Sequence, residues 1–319
     1  MAVQTQPARP RFKLRSREAR MLLYLAILLG FAAWKFVPRP WHPTTRLQTP
    51  HHLIESTATL PQTEETGRVL ETLYVAYQDR FDALPTFSRA RSGLKVKLFR
   101  DRDEFRRINP GLGWAEAYYR KPYCRAYYSA AEANPYHWMV HEAAHQLNNE
   151  VAGLSLEKWL EEGLADYFGT SLIASNEMLA GRIDADTYPV WWIDQLATRP
   201  TLEENLRNGS VIPLRAIITD SGGPSLSRNV NLYYLHWWTL THFVFEHPRH
   251  RQHALALVRD GGRLAAFEKH VGPVNEVQAE WHLHVRKLKS DLGGTRPLAR
   301  QPRLTAGKAI HQTGDPPNE

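Results

Sequence analysis

The strongest constraint on the fold is a pentapeptide, His141-Glu142-Ala143-Ala144-His145, followed seventeen positions after His145 by Glu162 in Trp159-Leu160-Glu161-Glu162-Gly163-Leu164-Ala165-Asp166-Tyr167. Residues four apart share one face of a helix, so a helix through the pentapeptide presents two imidazoles to one point, with Glu142 beside them. Two imidazoles at this spacing make half of a zinc site, and the carboxylate between them is placed to act as a base.

A catalytic zinc takes three protein ligands and keeps a fourth position for water, so the fold must return a third donor. A second helix, from Glu157 to about Leu172 after a turn containing Gly153, carries Glu162, and two short antiparallel helices bring it back over the first. One turn beyond Glu162, Asp166 is placed to accept the spare ring N–H of a ligand histidine and fix its tautomer. Glu161 stays open as a rival ligand. Asp166 lies four residues from Glu162 and five from Glu161, which favours Glu162. His137, four residues before His141, is about 12 Å from His145 along a straight helix, too far to share the ion, and is read as a packing or supporting residue.

The pair His-Glu-x-x-His and Trp-Leu-x-Glu-Gly-Leu-Ala-x-Tyr-Phe resembles the gluzincin branch of the zincin (peptidase MA-like) metallopeptidases, and more narrowly a bacterial family of minimal peptidase-like proteins. The likeness runs from about His51 to Lys289 and includes Phe267-Glu268-Lys269-His270-Val271-Gly272 and Trp281. It implies Glu162, the Glu before Gly163, as third zinc ligand. It also implies an α+β, zincin-like fold in which a small mixed sheet packs on the active-site helices and a helical C-terminal part follows. In such folds one strand runs along the cleft and can pair with an extended substrate, and either Trp114–Tyr119 or Tyr123–Ser129 is the candidate. The resemblance places Tyr234 where this fold often has a tyrosine facing the zinc, with the Tyr-x-x-x-Trp spacing kept to Trp238. The gap from His145 to Glu162 is a few residues shorter than in the best-known gluzincins.

The formal net charge of +7 invites a nucleic-acid reading. Residues 1–20 carry six of the basic side chains against Glu18 alone, a local +5, which leaves +2 for the other 299 residues and implies no basic footprint and no nucleic-acid partner. Behind that tail, Met21 to Trp34 is an uncharged apolar run, extendable to Val37 past Lys35. It is short for a span but lacks a clear small-x-small cleavage site, so residues 21–37 are read as an uncleaved signal anchor, with a cleaved signal peptide as the alternative. Either way the basic end stays in the cytoplasm and the rest of the chain crosses the cytoplasmic membrane. Residues 38–50, with four prolines, are read as a linker, 51–289 as one peptidase domain and 290–319 as a disordered tail. The one cysteine, Cys124, allows no internal disulfide and is read as packed and inert.

Within the domain, His51–Thr57 reads as a strand, with His51 and His52 at a surface or edge, since neighbouring strand residues face opposite ways. Thr59 and Gln62 form a capping box for a helix in which Val69, Leu70, Leu73, Tyr74, Tyr77 and Phe81 recur at three and four. Leu94–Phe99 alternates apolar and basic, a half-buried strand, and Asp101 caps a short helix. Residues 169–205 read as helical with loops, their Tyr188, Trp191 and Trp192 being packing or groove aromatics. Asn231–Glu246 is a strongly apolar helix, and three more helices follow.

These residues define an expected chemistry: Zn²⁺ on His141, His145 and Glu162, Glu142 as general base and proton carrier, and Tyr234 or His236 steadying the oxyanion of an attacked peptide carbonyl, with Tyr233 as a further option. The expected activity is hydrolysis of peptides or proteins by a membrane-anchored zinc peptidase. The alternative is a proteolytically silent zinc- or peptide-binding envelope module.

Overall fold

The alternating run Leu94–Phe99 forms the central strand of a five-stranded mixed sheet, and everything at the candidate site hangs from that sheet. The computed structural model describes residues 16–36, 40–88, 92–113 and 115–293. The strands are β1 (Thr45–Gln48), β2 (His52–Ser56), β3 (Leu94–Phe99), β4 (Tyr118–Arg120) and β5 (Tyr123–Tyr127), in the order β1-β2-β3-β5-β4. β2, β3 and β5 are parallel; β1 and β4 close the two edges antiparallel. The architecture is α+β.

Helix α1 (Ser16–Phe36) carries the N-terminal apolar run. Ten of its large side chains between Met21 and Trp34 are exposed. Among the described residues no helix is long and apolar enough to cross a membrane, so the spanning anchor expected over 21–37 is not found as such, although the run is helical. Residues 1–15 of the basic tail lie outside the described residues. Within the expected linker 38–50, Thr45–Gln48 pairs with β2 despite the flanking prolines and Trp41 packs on Phe99, so this stretch is in part built into the sheet.

Helix α2 (Leu60–Phe81) starts at the capping box of Thr59 and Gln62, both halves of which form, and buries Leu70, Leu73, Tyr77 and Phe81 under one face of the sheet. Helix α3 (Arg102–Ile108), capped by Asp101, folds over the other face and closes a small satellite core of Phe99, Phe105, Ile108 and Tyr127. Helices α4 (His137–Glu150) and α5 (Lys158–Gly169) follow and pack on each other. A hairpin, β6 (Ser171–Ala174) and β7 (Glu177–Ile183), occupies the segment expected to be helical. Its two-residue turn, Ser175-Asn176, has positive φ at both positions, which matches the strand twist of a tight hairpin.

The remainder is helical: α6 (Leu202–Asn208), α7 (Leu214–Thr219), α8 (Val230–Glu246), α9 (Ala254–Arg259), α10 (Leu264–His270) and α11 (Val274–Gly293). Helix α8 is apolar almost all round because it runs through the core, burying Leu235, Trp237, Trp238, Leu240 and Phe243. Helix α11 extends past Lys289, so residues 290–293 are helical, and the rest of the expected tail lies outside the described residues. Cys124 is fully buried, its Sγ against Met139, and burial pushes its thiol up, as expected of an inert cysteine.

Candidate metal centre

Helix α4 is fixed to the sheet by one face. Met139, Ala143 and Leu147 are buried there, the Gln146 side-chain amide donates to the carbonyls of Lys95 (3.3 Å) and Pro122 (3.2 Å), and the Tyr77 hydroxyl donates to Asn148 Oδ1 at 2.7 Å. That leaves His141, Glu142 and His145 on the side turned toward α5. Helix α5 is in turn pressed between α4 and α8. A Cβ at position 163 would fall on Thr241 Oγ1 and lie 2.6 Å from the Trp237 carbonyl, so only a glycine lets α5 and α8 cross this closely. The glycine after Glu162 thus sets how deeply Glu162 reaches toward the imidazoles.

Three donor atoms converge. His141 Nε2 and His145 Nε2 are 3.2 Å apart, and Glu162 Oε2 is 3.5 Å from the first and 3.6 Å from the second. A tetrahedral zinc with bonds of about 2.0–2.1 Å spaces its ligands by about 3.3–3.4 Å, so this triangle has the edge lengths such an ion requires. Two imidazole lone pairs at 3.2 Å repel unless a proton or a cation lies between them. Glu162 Oε2 is buried and makes no hydrogen bond, an orphaned acceptor aimed at both rings. Among the described residues this trio is the group able to hold a metal ion, and two nitrogens and one carboxylate oxygen suit zinc.

The surroundings orient the rings. Asp166, whose side chain is wholly buried, places Oδ1 2.9 Å from His141 Nδ1, and apart from that contact neither of its oxygens has a partner. A proton on Nδ1 facing Asp166 leaves the lone pair of His141 on Nε2, where the other two donors are. Glu161, half-exposed, comes within 3.8 Å of His145 Nδ1, whereas Glu162 is the acid that lies against both Nε2 atoms.

The charges are strongly perturbed. Burial opposes ionisation of Glu162, but His141 and His145 outweigh it and hold the carboxyl far below the usual range. Burial likewise opposes a charged His141, yet Asp166 and Glu162 face its two nitrogens and drive its pKa well up. For this coupled pair the upward shift of His141 is the direction that follows from the geometry, because a carboxylate stands at each side of the ring. Burial raises Glu142, against the pull of His141 and His145, and its carboxylate is met by the Tyr119 backbone N–H of β4.

Of the oxyanion candidates, Tyr234 faces the site: its ring lies 6.2 Å from that of His141, and burial, then Glu162 and Asp166, push its phenol well above 10. His236 does not. Two residues along a helix is a rotation of about 200°, so a face that carries Tyr234 to the metal carries His236 away. His236 is fully buried, stacks on Trp281, accepts from the Ile212 N–H (2.9 Å) and donates to the Leu232 carbonyl (2.6 Å), and burial lowers its pKa to about 4. Both nitrogens are used, and the expectation that His236 stabilises an oxyanion is corrected to a core role. Tyr233 donates to the Pro224 carbonyl at 2.7 Å, away from the site. Tyr188, read from the sequence as a packing or groove aromatic, packs tilted against Tyr234 with ring centres 5.4 Å apart, and after burial the carboxylates of Asp166 and Glu162 act on its phenol. Only its isolation in a loop before Pro189 hid it.

Two other histidine readings differ in outcome. His137 is a supporting residue as expected: Nδ1 donates to the Asn134 carbonyl at 2.9 Å and the ring packs on Trp138 and Trp191. His51 and His52 are not simple edge residues. His51 lies before β2, so both rings reach one carboxylate, Glu71, at 2.6 and 2.8 Å, and His52 is buried.

No protein-family model matches the chain, and no curated protein matches it.

Proposed function

We propose that the protein is a zinc-dependent peptidase held at a membrane by α1, with its catalytic domain on the extracytoplasmic side. The observation that carries the reading is the convergence of His141, His145 and Glu162 at tetrahedral edge lengths, with Glu162 Oε2 buried and unpartnered. These three residues would hold the ion, and Asp166 fixes the tautomer of His141. A zinc bound there supplies Lewis acidity toward a carbonyl and an acidified water.

The chain's own groups do the rest. Glu142 accepts the proton of the attacking water and returns it to the leaving amine; burial raises its pKa, which favours its taking up a proton. The Tyr234 phenol, held protonated by burial and by the neighbouring carboxylates, donates to the developing oxyanion. Edge strand β4 lies against α4, with the Tyr119 N–H at Glu142, and is the sheet edge beside which an extended peptide would lie. Attachment through α1 is supported by its exposed apolar surface, which water does not favour and a bilayer does.

The test compares parent and Glu142→Gln by elemental mass spectrometry and by cleavage of a peptide library. One zinc per chain in both, with cleavage in the parent alone, is expected. Cleavage surviving in the variant refutes Glu142 as base. Zinc without cleavage in the parent refutes the peptidase and leaves the silent binding module, and a folded parent without zinc refutes both.

A further inference from the structure

The face of the sheet turned away from α2 and α4 carries a second, unassigned feature. Register across β2, β3, β5 and β4 aligns Glu55, Lys97, Arg125 and Tyr118 in one row and Leu53, Lys95, Tyr123 and Arg120 in the next. The only acid in these rows, Glu55, is already met by Arg46 at 3.5 Å. Lys95, Lys97, Arg120 and Arg125 have no carboxylate within ion-pair distance among the described residues. Three of the four cations instead lie against aromatic rings: Lys97 is 4.5 Å, Arg125 4.9 Å and Lys95 5.6 Å from the ring centre of Tyr123. Burial first, and then the nearby Arg125, depress the pKa of Lys97. The near-zero charge of the folded part therefore conceals a concentrated patch.

The patch also lies where the chain enters the domain from the side of α1. Trp41 is seated on this same face, 4.8 Å from the ring of Phe99, with Lys97 5.2 Å from its own ring centre. The chain thus leaves the domain at the basic face, and from Trp41 back to Phe36 it can span at most about 17 Å. A domain of this size is about 35–45 Å across, so the tether is too short to let the opposite face reach the surface in which α1 is held.

We propose that the face built from Lys95, Lys97, Arg120 and Arg125 docks on the anionic headgroups of the bilayer that holds α1, and so fixes the orientation of the catalytic domain. Each cation near such a surface adds attraction that decays over a Debye length of about 8 Å, within the reach of the tether. Because β4 is both the edge of this face and the strand beside Glu142, docking holds the cleft mouth at a set height above the membrane and selects polypeptide segments presented near it. The proposal rests on the attachment of α1 proposed above, not on the zinc chemistry.

The full chain is reconstituted in lipid nanodiscs of purely neutral lipid and of lipid with about one third anionic headgroups, and lysine acylation by a neutral active ester is followed by mass spectrometry. Lys95 and Lys97 are expected to react at least threefold more slowly in the anionic discs, with the difference lost at high salt, while exposed Lys269 and Lys287 react alike in both. Equal rates for Lys95 and Lys97 in the two discs overturn the docking. If they are equal but fall on adding single-stranded DNA, the face belongs to a soluble polyanion and the membrane proposal is wrong. A chain that does not co-elute with discs at all refutes the attachment of α1, a result distinguishable from failure of docking alone.

Discussion

Asp166 offers the sharpest separation between metal binding and general stability. Its side chain is wholly buried, lies 2.9 Å from His141 Nδ1 and has no other partner among the described residues, so orienting that ring is the interaction the structure gives it. Asp166→Asn keeps shape and an acceptor oxygen for the Nδ1 proton but removes the charge that makes His141 a stronger donor. Loss of such a supporting carboxylate typically weakens metal affinity by about 10- to 100-fold, or about 1.4–2.7 kcal/mol. In the metal-free protein the substitution removes a desolvated charge and leaves the hydrogen bond, so stability stays within about 1 kcal/mol of the parent or rises. The assay is a zinc competition titration against a chromophoric chelator, paired with thermal unfolding in excess chelator. An unchanged zinc affinity, or a metal-free variant destabilised as much as its zinc affinity is reduced, refutes the reasoning.

Other outcomes follow from the same geometry. Gly163→Ala drives a methyl group into Thr241 and the Trp237 carbonyl and is expected to cost about 1–3 kcal/mol in denaturant unfolding, with weaker zinc binding as α5 is pushed off α8. His236→Leu orphans the Ile212 N–H and should cost about 1–3 kcal/mol while leaving zinc content and turnover per folded chain unchanged; Tyr234→Phe should do the reverse, lowering kcat about 100-fold at constant melting temperature. Glu71 is opposed by burial, but His52, Thr49 and His51 hold its pKa down at about 2 against an ordinary 4.5. A depressed carboxyl contributes stability above its unfolded pKa, so that contribution, at most about 3 kcal/mol, should be lost as pH falls from about 4.5 toward 2, and Glu71→Gln should flatten the acid limb of the stability curve.

What the sequence disclosed and what it hid divide along the range of the interactions. The helix spacing that pairs His141 with His145, and Glu162 with Asp166, is local, and both pairs are found on one face of their helices. The capping box at Thr59 and the alternation of Leu94–Phe99 are local as well, and both elements formed within a residue of where their pattern put them. Beside the resemblance, the preference for Glu162 over Glu161 was legible through Asp166, because a helix period relates Glu162 to it. The failures are non-local. His236 and Tyr234 are equally plausible in a strand of letters, and only the contact of α8 with α5 decides which side faces the metal. The hairpin β6–β7 was hidden because its turn, Ser175-Asn176, lacks the glycine that usually marks positive φ, and β1 because its prolines lie just outside a pairing made with β2. The basic face is the clearest case. Lys95 and Lys97 were visible as the solvent side of a strand, but β3 pairs with β5 across the intervening α3 and β4, and that crossover alone sets Arg125 beside Lys97. Net charge is a sum and carries no positions, so the near-neutral balance that argues against a polyanion partner is compatible with a face whose four cations share one side of the sheet. Surface electrostatics has to be read after the strand order is known, whereas a metal triad built on helix periods can be read before.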